Sequence, residues 1–241
     1  MAAIDHSLHP LTHTFLERLP HRKTPGRQLH RQEDGRIVGD WVGFQLSSAF
    51  QPIVAEDGRI AGWEAFLRSA GGDDQGLSPW SLFSTATDDT RLIALDRLAR
   101  TVHLLNALVS GLPGQLFLNV HGRLLAAVGD DHGRAFRRVV DALGVRPDKI
   151  VIETPVEASS QPDLLAFVLR NYRSNGFRVA VNLASADQWQ RIASVVELGS
   201  RLRSPALVEF FASDRPAVCV AALSRARLPD ALWPVLLSRL G

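Results

Sequence analysis

The chain carries one cysteine, Cys219, in 241 residues, which excludes an internal disulfide framework and a zinc site built from cysteine pairs. Val218 and Val220 flank it, the setting of a small buried apolar residue rather than a reactive thiol. No apolar run approaches the roughly 20 residues that cross a bilayer, and the first residues lack a charged start followed by an apolar stretch. The expectation is therefore a cytoplasmic protein with no membrane association. Excess charge is also scarce: a formal net charge of +2 does not favour direct nucleic-acid binding by the molecule as a whole. No phosphate-cradling glycine loop, nucleophile elbow or nucleic-acid module is present. The five tryptophans are scattered, which suits packing better than base stacking.

What is there is a chain able to bury a sizeable core, 46% hydrophobic and 22% charged. The charge is uneven. Residues 1–32 hold Arg18, Arg22, Lys23, Arg27 and Arg31 against Asp5 and Glu17, with five of the eight histidines. Those histidines (6, 9, 13, 21 and 30) lack a firm metal-ligand spacing. Pro10, Pro20, Pro25 and Gly26 interrupt long periodicity here, although 13–19 fits a short helix. We therefore read 1–42 as a basic N-terminal extension and 43–241 as the folded domain. The extension is either a solvated tail or a contact arm for an acidic partner or neighbouring subunit.

After residue 43 short extended runs alternate with helical patterns, the mark of βα units and a mainly parallel sheet. Strands are predicted over 45–54, 62–67, 115–120, 149–152, 177–181 and 207–211, and helices over 79–84, 90–108, 132–143, 162–175 and 187–201. Gly144 and Gly176 each follow an apolar stripe at helical spacing and are placed to end a helix. Asp34-Gly35 and Asp57-Gly58 are near-identical turns feeding extended segments.

In a βα barrel, acids and amides at the C-terminal ends of strands line the mouth. Glu64, Asn119 and Glu153 meet that description, and oxygen donors converging from separate strands suit Mg²⁺ or Mn²⁺. Each alone has a structural alternative, a salt bridge or a capping contact.

These residues sit in recognisable company. Phe50-Gln51-Pro52-Ile53-Val54, then Asp57-Gly58, then Gly62-Trp63-Glu64-Ala65-Phe66-Leu67-Arg68 resembles the opening signature of the EAL family of cyclic di-GMP phosphodiesterases, with Phe66 in place of its leucine. Asp96, Asn119 in Phe117-Leu118-Asn119-Val120, and Glu153 in Ile150-Val151-Ile152-Glu153-Thr154 follow in the family's order. The resemblance implies an α/β, TIM-like (β/α) barrel of EAL type. It also implies metal ligands at Glu64, Asn119 and Glu153, with Gln51 and Arg68 along a nucleotide groove. Arg68 has a planar fork suited to a phosphate, or to a salt bridge at the barrel rim.

The departures fall on the hydrolytic parts. Where the family carries adjacent aspartates, this chain has Asn182 and Leu183, two formal negative charges fewer at a site that uses carboxylates to hold both cations. Glu209 stands in the segment that supplies the family's catalytic lysine, and no lysine follows Lys149. Thirty residues after Phe211 are too few for about two further βα units, so the barrel is expected to be incomplete or modified at its C-terminal units.

The reading is of a chain with no intact catalytic set and no resident cofactor beyond a vestigial Mg²⁺ or Mn²⁺ site. It is expected to act in bacterial signalling through a protein partner or homodimer, with cyclic di-GMP bound weakly if at all. A non-hydrolysing receptor and a residual phosphodiesterase are the alternatives. Leu223, Leu228, Leu232, Trp233, Leu236, Leu237 and Leu240 recur at helical spacing, either as a subunit contact or folded back as core.

Overall fold

A computed structural model of the chain describes residues 8–54, 60–71, 76–127 and 132–182. The Asp57-Gly58 turn, Leu183, Glu209, Cys219, the helix at 187–201, the strand at 207–211 and the C-terminal leucine stripe lie outside them. Contacts divide the chain into two compact units. Of the described residues, unit one comprises 8–51, 64–71, 76–112 and 136–146; unit two comprises 52–54, 60–63, 113–127, 132–135 and 147–182.

Unit one opens with helix α1 (Pro10–Glu17), whose N-cap His9 accepts a hydrogen bond from the Leu11 amide, with Pro10 preset at the first helical position. The helix buries Leu16 and Thr12, and the Thr12 hydroxyl donates to the Leu143 carbonyl at 2.5 Å. Strands β1 (Leu29–Arg31), β2 (Ile37–Trp41) and β3 (Phe44–Val54) then form an antiparallel meander, with Leu29 opposite Gly39 and Gly39 opposite Leu46. Residues 10–41, read as an extension before a domain starting at 43, contribute a helix and two strands, and bury Ile37, Val38 and Trp41. The meander also limits the parallel-sheet expectation. Two residues, Val42 and Gly43, join β2 to β3, and so short a link joins only antiparallel strands.

Strand β4 (Ile60–Ala70) and helix α2 (Pro79–Ser84) precede α3 (Asp89–Val109), which is capped by the Asp88 side chain on the Arg91 amide at 2.8 Å. Helix α3 buries Leu92, Leu95, Leu98, Val102 and Leu105. At roughly 1.5–3 kcal/mol per buried side chain, these hold it against the sheet. Gly39 permits the approach to β2, since a Cβ there would lie 2.9 Å from Val102 Cγ2. Asn106 fixes the same strand, accepting from the Ile37 amide at 2.9 Å and donating to its carbonyl at 2.7 Å. Asp96 pairs with Arg100 one turn later, and the Arg100 guanidinium lies 4.8 Å over the Phe136 ring.

Unit two holds parallel strands β5 (Gln115–Asn119), β6 (Ile150–Thr154) and β7 (Arg178–Val181), in that order. Helix α4 (Gly122–Ala127) follows β5, and α5 (His132–Ala142) runs from this unit into the other. Helix α6 (Pro162–Ser174) links β6 to β7 and buries Leu165, Val168, Leu169 and Tyr172. Gly144 and Gly176 sit just past α5 and α6 with φ of 68° and 82°, a backbone shape glycine adopts without strain, and they end the helices as expected. Among the described residues no helix is long and apolar enough to cross a membrane.

Candidate functional site

Alternation along a strand sends every second side chain to the same face. In unit two one face carries Leu116, Leu118, Ile150, Ile152, Val179 and Val181, all buried. The opposite face carries Gln115, Phe117 and Asn119 on β5, Val151 and Glu153 on β6, and Arg178 and Ala180 on β7. Phe117, Val151 and Ala180 join Ile53 in an apolar plug. Below the plug, Gln115 in the amide orientation its neighbour selects accepts from Arg178 Nη1 at 2.8 Å and Nε at 3.2 Å. Above it, at the C-terminal strand ends, Asn119 stands in register with Glu153 and Glu153 with Ala180. Asn182 follows β7, its amide 3.4 Å from the Thr154 carbonyl.

The strand-end layer is polar but weakly charged. Glu153 is 3% exposed, and burial pushes its carboxyl up to about 7; a hydrogen bond from the Asn182 side chain opposes that rise without cancelling it. Asn119 is exposed and Asn182 half-buried, and both are neutral oxygen donors. The donor type suits a hard cation such as Mg²⁺ or Mn²⁺, but the charge does not: one carboxylate and two neutral amides oppose little of a divalent charge. Among the described residues no group of three or more His, Cys, Asp or Glu side chains is placed to hold a metal. The layer does not fit a two-cation hydrolytic centre, and no step is derived through one.

The other expected site residues belong to unit one. Glu64, on β4, is 4% exposed. Arg68 is exposed at the far end of that strand, its Nη1 donating to the Leu67 carbonyl at 3.0 Å and its guanidinium 5.9 Å over the Phe66 ring. Gln51 is exposed on β3. Thus the structure brings Asn119, Glu153 and Asn182 together in unit two, while Gln51, Glu64 and Arg68 stand in unit one. Asp96, read as part of the signature, is buried in its pair with Arg100.

A buried polar network in unit one was not expected from the sequence. The Ser48 hydroxyl lies 2.7 Å from His103 Nδ1, and Asn106 Nδ2 donates to the same hydroxyl at 3.3 Å. Burial, assisted by the Arg68 charge, lowers His103 to about 3, so it is neutral in the folded chain. The only signal in the sequence was a pair of polar residues, His103 and Asn106, three apart in the apolar last two turns of α3.

Residues 43–190 match the family model described as EAL domain. No match was found among curated proteins. Among solved structures, the FimX EAL domain from Pseudomonas aeruginosa bound to c-di-GMP superposes with a TM-score of 0.52 at 13% identity, over 74% of this chain and 86% of that one. BlrP1 from Klebsiella pneumoniae, with FMN and cyclic diGMP, gives 0.44 at 24% identity over 65% and 44%. The EAL enzyme Bd1971, bound to cAMP and cyclic-di-GMP, gives 0.46 at 16% identity over 57% and 39%. The chain thus spans less than half the length of BlrP1 and of Bd1971. The FimX likeness supports the fold and nothing finer.

Proposed function

The chain belongs to the EAL domain family, and on that premise we propose that it is a catalytically inactive regulatory domain, working in the bacterial cytoplasm through contact with a protein partner or a second copy of itself. The observation that carries this reading is the Glu153–Asn182 pair. An aspartate at 182 would add a charge for a cation; the asparagine instead donates a hydrogen bond to Glu153, whose carboxyl burial pushes up to about 7. The sequence adds Leu183, which offers no ligand, and Glu209, which inverts the charge expected beside a scissile phosphate. The test is incubation of the purified chain with cyclic di-GMP and Mg²⁺ or Mn²⁺, with chromatographic detection of the linear dinucleotide. We expect none. Turnover that disappears in Glu64→Ala would overturn the reading.

A second reading, a receptor that binds cyclic di-GMP without cleaving it, is favoured by the exposure of Arg68 and Gln51 and by the ligand in the FimX EAL structure of similar fold. Calorimetry separates the two. Binding weaker than about 10 µM, or none, fits the contact domain; a tighter complex lost in Arg68→Ala establishes the receptor.

A further inference from the structure

The β2–β3 link is built against the preference of its own residues. Val42 and Gly43 both have positive φ, 43° and 84°, the geometry of a two-residue type I′ hairpin that favours Asn-Gly. A β-branched residue at positive φ is strained, and this valine is also 62% exposed, so burial within the chain does not offset the strain. A strained apolar side chain held out in water is a candidate contact residue.

The ground beside it is cationic and ordered. Between Arg18 and Gln28 there are four Arg or Lys residues and no Asp or Glu, and Arg22, Lys23 and Arg27 are all exposed. Thr24-Pro25-Gly26-Arg27 forms a type II turn: Gly26 has φ of 76° and the Arg27 amide donates to the Thr24 carbonyl at 3.0 Å. The loop is tied to the sheet at three further points. The Asp40 amide donates to the Gln28 carbonyl at 2.7 Å, the Arg31 amide to the Pro20 carbonyl at 2.8 Å, and Lys23 Nζ lies 3.3 Å from Asp40 Oδ1. Extending the β1–β2 pairing by the Gln28–Asp40 bond sets Arg27 opposite Trp41, one residue from Val42. The basic segment is thus a platform ordered before any partner arrives, which lowers the entropy lost on binding.

We propose that the β2–β3 tip and the 18–28 loop dock an acidic segment of a partner protein, with Val42 entering an apolar contact between its carboxylates. Charge complementarity selects an acidic partner. A membrane is disfavoured because one valine buries less than a single acyl chain, itself a marginal anchor. Nucleic acid is disfavoured because the tip and loop expose no Phe, Tyr or Trp for base stacking; Trp41 is 7% exposed and bonded through Nε1 to Thr85. The inference rests on the reading of the chain as a protein-contact domain and names the chemistry of the partner.

The test uses the full chain and a fluorescein-labelled peptide of alternating glutamate and leucine, followed by anisotropy. A glutamate–serine peptide, phosphatidylserine vesicles and duplex DNA serve as comparisons. The glutamate–leucine peptide is expected to bind best, and Arg22→Glu with Arg27→Glu to weaken it at least about tenfold, with affinity falling as salt rises. Val42→Asn is the decisive variant, because asparagine relieves the strain and keeps the turn. We expect its Tm to rise by roughly 2–4 °C while peptide affinity falls about fivefold. A purely structural Val42 gives the stability gain with no binding loss, and that result overturns the proposal. So does a glutamate–leucine peptide that binds no better than the serine version, or vesicles or DNA that bind when the peptide does not. Absence of peptide binding together with absence of hydrolysis removes this surface and leaves the inactive-domain reading. Hydrolysis together with peptide binding does the reverse.

Discussion

Replacing Glu153 by glutamine is expected to stabilise the protein above neutral pH in metal-free buffer. The carboxyl is 3% exposed and is raised from 4.5 to about 7. Because the folded value exceeds the unfolded one, the stability this group contributes is fully present below 4.5 and is lost as pH rises through about 7. At about 1.36 kcal/mol per pH unit, that interval amounts to about 3 kcal/mol by pH 8. Glutamine keeps the shape and still accepts the Asn182 hydrogen bond, but it has no proton to lose. Urea unfolding of wild type and Glu153→Gln at pH 4.5, 6, 7 and 8 reads the difference. The two proteins should coincide at the lowest pH and diverge to about 3 kcal/mol at the highest, the variant being the more stable. Equal stability throughout, or a variant weaker than wild type at pH 8, means that the carboxylate is held by positive charge, and the argument for an uncharged site fails.

His103 should act in the opposite sense. Its folded value of about 3 lies below 6.5, so stability is present above 6.5 and falls as pH drops, by about 1.4 kcal/mol per pH unit, a slope that pH-dependent urea unfolding should show and His103→Gln abolish. Thr154 is wholly buried and its hydroxyl has no hydrogen-bond partner among the described residues, so Thr154→Val should raise stability by about 1 kcal/mol in the same assay. Asn106→Ala leaves both backbone groups of Ile37 without their side-chain partner, and calorimetric melting should show a loss of about 2–4 kcal/mol.

Several elements were legible because one physical signal dominated each. The apolar runs ending in Asn119, Glu153 and Val181 gave three strands. The helix expected over 90–108 is observed as Asp89–Val109, since a long apolar stripe outweighs local ambiguity. The strand-end positions of Asn119 and Glu153 were legible for the same reason: a lone acid or amide closing an apolar strand is conspicuous. The strands within residues 10–41 were not expected because the signals there are weak. Strand β1 is three residues long, and β2 buries Ile37, Val38 and Gly39 in succession, so its two faces do not alternate. The prolines of the 20–28 loop interrupt any periodicity, although Pro25 belongs to an ordered turn. The Ser48–His103–Asn106 network was invisible because it joins residues 55 apart in the chain, and no local period records such a contact.

The central claim, that the strand-end layer has too little charge for a divalent cation, is tested most directly by titrating the purified chain with Mn²⁺ and following the free ion by electron paramagnetic resonance. Wild type should show no saturable site tighter than about 1 mM, and Asn182→Asp should tighten binding at least about tenfold by adding one carboxylate. Micromolar Mn²⁺ binding by wild type that is lost in Glu153→Gln would contradict the account.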